Sequence, residues 1–164
     1  MEIIQRVVML SVLFLLVSCS EGMHSNSEDT YTKDLFSGNG EKIYFTGITQ
    51  SNAVVPSSGG HHHSKMHGGG CVTCHGVNRE GGNRMWPWFW VTAPALTPTA
   101  LIGDHESDGH SHTVYDAQSL KRAIIEGVNP AGEKLNNLMP KWQMSEGDLN
   151  DLVHFLLDEH KEEH

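Results

Sequence analysis

The residues Gly70-Cys71-Val72-Thr73-Cys74-His75-Gly76 constrain this chain more than any other stretch. Two cysteines separated by two residues and followed at once by histidine form the attachment pattern of a c-type haem. On a short helical turn that gap brings both sulfurs to one edge of a porphyrin, where each thiol adds across a vinyl group. His75 then falls beneath the iron as a ligand. Two other chemistries use Cys-x-x-Cys, a dithiol redox pair and half of a zinc site. The redox pair has no need of the adjoining histidine. A closed zinc site needs a second pair of ligands, and the remaining cysteine, Cys19, sits far upstream in a hydrophobic leader. The pattern favours one covalent haem over both.

A haem also fits the composition. A chain of 164 residues accommodates one domain plus appendages, yet only 38% of it is apolar and 17 residues are glycine. Such a chain is expected to have a small core and long loops, with a porphyrin supplying much of the missing apolar volume. The formal charge of −9 argues against a nucleic acid or an anionic lipid surface as partner. It leaves a basic protein partner, or simple solubility, as the use of that charge.

The N-terminus reads as a targeting segment. After Met1 to Arg6 the chain is apolar from Val7 to Val17, with Ser11 as the interruption, and stops at Ser18-Cys19. That run is too short to span a bilayer and has the length of a signal-peptide core. Leu16-Val17-Ser18-Cys19 resembles a bacterial lipobox, in which the leader (1–18) is cut before a cysteine that is then acylated. The plainer alternative is an ordinary secretory leader with a stray cysteine. On the lipobox reading, Cys19 carries the lipid anchor and 19–38, polar and without apolar period, is a flexible tether. Ser20 rather than an acidic residue after Cys19 resembles the outer-membrane sorting pattern. The expected location is the bacterial cell envelope, facing the periplasm or on the outer face of the cell membrane. Cys19 for lipid and Cys71 with Cys74 for haem leave no cysteine for a disulfide, and both modifications occur outside the cytoplasm.

Three helices are expected in the remainder, 39–164. The first is short, with Asn39 as cap, Ile43, Tyr44 and Phe45 as apolar content, and Gly47 as its end. The next begins at the cap Asp116, carries Ala117, Leu120, Ile124 and Val128 at three-to-four spacing, and stops at Gly127 and Asn129-Pro130. The last starts at Ser145 with Asp148 three residues on, a capping box, and buries Leu149, Leu152, Val153 and Leu156.

Two histidine-rich patches and an aromatic run lie between these helices. His61, His62, His63, Met66 and His67 occupy a Gly/Ser/His-rich segment at about 49–70. His105, His110 and His112 sit among Asp104, Glu106 and Asp108. Imidazoles and carboxylates at this density suit copper, zinc or nickel. The plainer reading is a solvated loop with adventitious affinity, because consecutive loop histidines cannot all face one ion without a rigid frame. A third is a charge that changes near neutral pH. The run Met85-Trp86-Pro87-Trp88-Phe89-Trp90-Val91 is expected to wrap the porphyrin faces; docking of a redox partner is the alternative.

Between Asn39 and about Leu157 the chain resembles the class I cytochromes c. Gly40 and Tyr44 match the family's Gly-x-x-x-aromatic pattern on the first helix, and Phe155 the aromatic set against it. Ala93-Pro94-Ala95-Leu96 is similar to the Pro-x-Leu element, which implies that the Pro94 carbonyl orients His75 and that Leu96 lines the pocket. Met139-Pro140 matches the sixth-ligand loop, so the resemblance implies His75 and Met139 as axial ligands, Met144 in packing, and Trp142 in the pocket beside a propionate. One departure stands out: about twenty extra residues, Thr49 to Gly70, precede the haem motif. The resemblance implies an all-α fold, three main helices and a short turn around one haem c, with long Gly/His-rich loops. It also implies a carrier of single electrons rather than an enzyme, lipid-anchored on the lipobox reading, with donor and acceptor proteins such as a terminal oxidase or a respiratory complex. A gas sensor and a haem lipoprotein that binds copper or zinc through its histidines are the alternatives.

Overall fold

The first helix begins where a glycine ends the polar run. In a computed structural model of the chain, residues 35–60, 69–84, 90–103 and 114–158 are described, and all fall within one compact unit, Lys33–His164. The leader, Cys19 and nearly all of the expected tether lie outside the described residues. So do both histidine patches and Met85 to Phe89. Helix α1 (Asn39–Thr46) is capped by Gly38, not by Asn39 as its side chain suggests. Asn39 is instead the first helical residue. Its amide nitrogen donates to Asp148 Oδ1 at 2.9 Å and Asp151 Oδ2 at 2.7 Å, and its oxygen accepts from the Gln50 N–H at 2.6 Å.

The helices that follow are α2 (Val72–His75), α3 (Pro98–Ile102), α4 (Ala117–Glu126) and α5 (Glu146–Leu157). Helix α4 has the expected cap at Asp116, strengthened by a reciprocal bond. Ser119 N–H donates to Asp116 Oδ1 at 2.6 Å and Asp116 N–H to Ser119 Oγ at 2.9 Å, which holds the carboxyl below its usual range. The helix ends at Gly127 in the left-handed region, φ 69°. Its buried stripe is Leu120, Ala123 and Ile124. Ala117 is exposed, and Val128 lies past the helix in an isolated bridge to Lys134. In α5, Ser145 Oγ accepts from Asp148 N–H at 3.1 Å. The Asp148 carboxylate takes the Ser145 hydroxyl at 2.6 Å and the Asn39 amide, so the side-chain half of the expected capping box is diverted to tying α1 to α5.

Helices α1 and α5 cross at Gly40. A Cβ there would run into the Asp151 carbonyl, so only glycine permits the approach. The crossing brings Tyr44 and Phe155 to 5.4 Å between ring centroids and buries Ile43, Tyr44, Leu149, Leu152, Val153 and Leu156 with Leu120 and Ile124 of α4. Two further features depart from the sequence expectation. Helix α3 is capped by Thr97, whose Oγ accepts from Ala100 N–H at 3.2 Å, with Pro98 in its first turn. A two-stranded antiparallel sheet pairs β1 (Ser57–Ser58) with β2 (Lys141–Trp142), Ser57 opposite Trp142 and Ser58 opposite Lys141. The described part of the Thr49–Gly70 segment is therefore not loose loop. Among the described residues no helix is long and apolar enough to cross a membrane.

Candidate haem site

The site grows from α2, a single turn that carries Cys74 and His75 with Cys71 at its cap. His75 is 4% exposed. Its Nδ1 donates to the Pro94 carbonyl at 2.8 Å, which leaves Nε2, the nitrogen across the ring, available to a metal. Burial lowers the His75 pKa, and the Pro94 bond works in the opposite direction. Burial pushes the Cys71 thiol up to about 12 and raises Cys74 as well. Neither sulfur is activated as a thiolate, unlike the attacking cysteine of a dithiol redox pair.

Buried groups hold His75 from behind. The Tyr44 hydroxyl donates to the Gly76 carbonyl at 2.6 Å, and burial, more than the nearby Arg79 cation can offset, keeps that phenol protonated. Gly81 N–H donates to the His75 carbonyl at 2.9 Å. Arg79 bonds to three residues of this region. Its N–H donates to Gly76 O at 3.2 Å, its carbonyl accepts from Leu96 N–H at 2.6 Å, and its guanidinium donates to Phe155 O in α5 at 2.9 Å. The guanidinium also lies over the Phe155 ring, 5.1 Å from the centroid. Arg79 is 5% exposed and has φ 62°, a conformation unusual for a non-glycine residue. Nothing in the local sequence marks it, because a charged residue among glycines ordinarily means a solvated turn. Helix α3 did leave a signal, since Thr97-Pro98 is a cap followed by an N1 proline.

A cavity of about 610 Å³ opens beside α2, within the range of roughly 300–1,000 Å³ typical of cofactor sites. Cys71, Cys74 and His75 line it, as do Pro94, Leu96, Met139 and Trp142. Leu101, Leu120, Ile124, Leu152 and Leu156 supply much of its apolar wall. Met144 packs against the core, as expected. Met139 follows a tight turn in which Leu138 N–H donates to Asn136 Oδ1 at 3.0 Å and Met139 N–H to Asn136 O at 2.9 Å. From the aromatic run, Val91 lines the cavity but Trp90 is 79% exposed, so this ring does not wrap the pocket. Arg84 and Thr92, which flank the run, face one another across an antiparallel bridge. His61, His62, His63, His67, His105, His110 and His112 lie outside the described residues. Among those described, no group of three His, Cys, Asp or Glu side chains could hold a metal ion.

The family model for Cytochrome c matches residues 59–159, well over half of the chain. The chain belongs to the cytochrome c family. No curated protein and no solved structure matches it. As a cytochrome c it binds covalent haem c, with Cys71, Cys74 and His75 fitting the attachment motif, and its function is of the electron-carrier kind. The cavity suits that group: two sulfurs and an oriented imidazole stand at one side of an apolar space that also receives a thioether. The helical architecture agrees with the class I fold, with three main helices of 8, 10 and 12 residues.

Proposed function

We propose that this cytochrome is a lipid-anchored carrier of single electrons between respiratory partners outside the cytoplasm, with His75 and Met139 as the two axial ligands of the haem iron and no catalytic role. The observation that carries the ligand pair is the shared cavity. Met139 lines the same apolar space as Cys71, Cys74 and a His75 ring whose tautomer is set by Pro94. Haem c bound there supplies a one-electron iron couple. The protein's part is to hold both ligands still and keep water out. Pro94 fixes the imidazole and makes it a better donor, while Leu96 and Trp142 close the pocket. Met139 in place of a second histidine would raise the reduction potential, which suits the high-potential end of a chain such as donation to a terminal oxidase. With His75 and Met139 both holding the iron, no position would remain for a substrate. The Leu16-to-Cys19 lipobox and Ser20 support an anchor at Cys19 and an outer-membrane location facing the periplasm. The charge of −9 supports a basic docking partner.

The deciding experiment is the visible spectrum of the holo-protein, ferric and then reduced with and without carbon monoxide, for wild type and Met139→Ala. The wild type is expected to show the weak far-red sulfur-to-iron band and to resist carbon monoxide, and the variant to lose both properties. A wild type that lacks the band and takes up carbon monoxide freely would replace electron transfer with sensing or catalysis.

A further inference from the structure

The segment between α1 and the haem motif is the departure from the family pattern, and its described part runs straight to the Met139 loop. We propose that residues 55–60 form a brace that holds this loop in place for ligation, with Gly60 as the positioning residue that sets where Pro140, and hence Met139, sits. The proposal rests on Met139 being the sixth ligand.

The brace is fixed at its near end by Val55, which is 5% exposed and whose N–H donates to the Gly47 carbonyl at the end of α1 at 2.8 Å. It then meets the Met139 loop repeatedly. The Pro56 carbonyl accepts from Gln143 N–H at 2.8 Å. Ser57 and Ser58 pair with Trp142 and Lys141, and Gly60 N–H donates to Asn137 O at 3.2 Å. These bonds bracket Met139-Pro140, reaching Asn137 on one flank and Lys141 to Gln143 on the other. Between them the brace lies directly on Pro140. A Cβ at Gly60 would stand 2.9 Å from Pro140 Cβ and 3.3 Å from its Cα, and Pro140 is buried.

Among the described residues the loop has little else of this kind. Its two bonds through Asn136 are local, and they shape the turn without placing it against the rest of the protein. Leu135 N–H to Gly127 O at 2.8 Å ties down its start. A thioether is a neutral and weak donor, so its hold on iron depends on how little the loop can move when the bond opens. Loosening the brace should therefore show first as a labile ligand, before the protein unfolds.

Gly59 and Gly60 provide a matched pair for the test. Both have positive φ, 75° and 70°, so alanine strains the backbone alike at each. Only at Gly60 does the new methyl meet Pro140; at Gly59 there is nothing within 4 Å. In the holo-protein, Gly60→Ala is expected to weaken the ferric far-red band. It should also speed carbon monoxide binding to the ferrous form by about tenfold, the scale of an overpacked contact. Gly59→Ala should stay within about twofold of wild type, since it adds strain without the contact. If Gly60→Ala does not accumulate with haem, Gln143→Pro carries the test, because it deletes the N–H that Pro56 accepts; the same readouts should move in the same direction. Equal behaviour of the two alanine variants, or no change in Gly60→Ala or Gln143→Pro, would overturn the brace while leaving Met139 as ligand. A wild type without the band and open to carbon monoxide would remove the ligand assignment, and the brace with it.

Discussion

Around His75 the chain is held by side chains that are themselves buried, whereas around Met139 it is held mainly by backbone bonds that flank the buried Pro140. Tyr44 and Arg79, at 0% and 5% exposure, tie the chain beside His75 to α1 and α5. Asn136 and Asn137 are exposed, and the bonds that place the Met139 loop run to a two-residue strand and a glycine. A group packed into the core cannot be disturbed without disturbing the fold, but a loop held by a few backbone bonds can open locally at smaller cost. The histidine side should therefore report on global stability and the methionine side on ligand exchange.

The strongest test of that division is Gly40→Ala, behind the histidine. Its methyl would meet the Asp151 carbonyl at the α1–α5 crossing. A loss of about 3 kcal/mol, from overpacking against rigid backbone, is expected in denaturant unfolding of the ferric holo-protein. A loss below about 1 kcal/mol would mean that the crossing yields easily and that the histidine side is no more rigid than the other.

Arg79→Met comes next. It removes a charge-assisted bond to Phe155 O and the ring contact while keeping apolar bulk. The expected cost is about 2 kcal/mol, with the far-red band retained. Loss of the band at unchanged stability would reverse the comparison. Asn136→Ala, on the methionine side, should have the smallest effect on stability, about 0.5 kcal/mol. Carbon monoxide binding should nonetheless become faster, because the turn that carries Met139 loses its side-chain bond. A stability cost equal to that of Arg79→Met would erase the distinction between the two sides.

Much of this protein was legible in its sequence for local reasons. The spacing of Cys71, Cys74 and His75 is a property of one helical turn. The Asp116 and Ser145 caps, the Gly47 and Gly127 stops and the apolar stripe of α5 follow from bonds and periods that span only a few residues. The Pro94 carbonyl meets His75 as the Pro-x-Leu pattern implied. What sequence could not supply were contacts between distant segments. Asn39 reads as a cap, yet its amide serves Asp148 and Asp151, more than a hundred residues away. Nothing local marks Arg79, yet it is buried against the end of α5. Ser57 and Ser58 read as loop, yet they pair with β2 beside the methionine. A motif encodes what neighbouring residues can do together, and that determined the haem attachment and the helices. The partners that fix each side of the cavity were decided by the tertiary structure, because a polar side chain or an unpaired backbone group takes whichever distant group the packed core brings within reach.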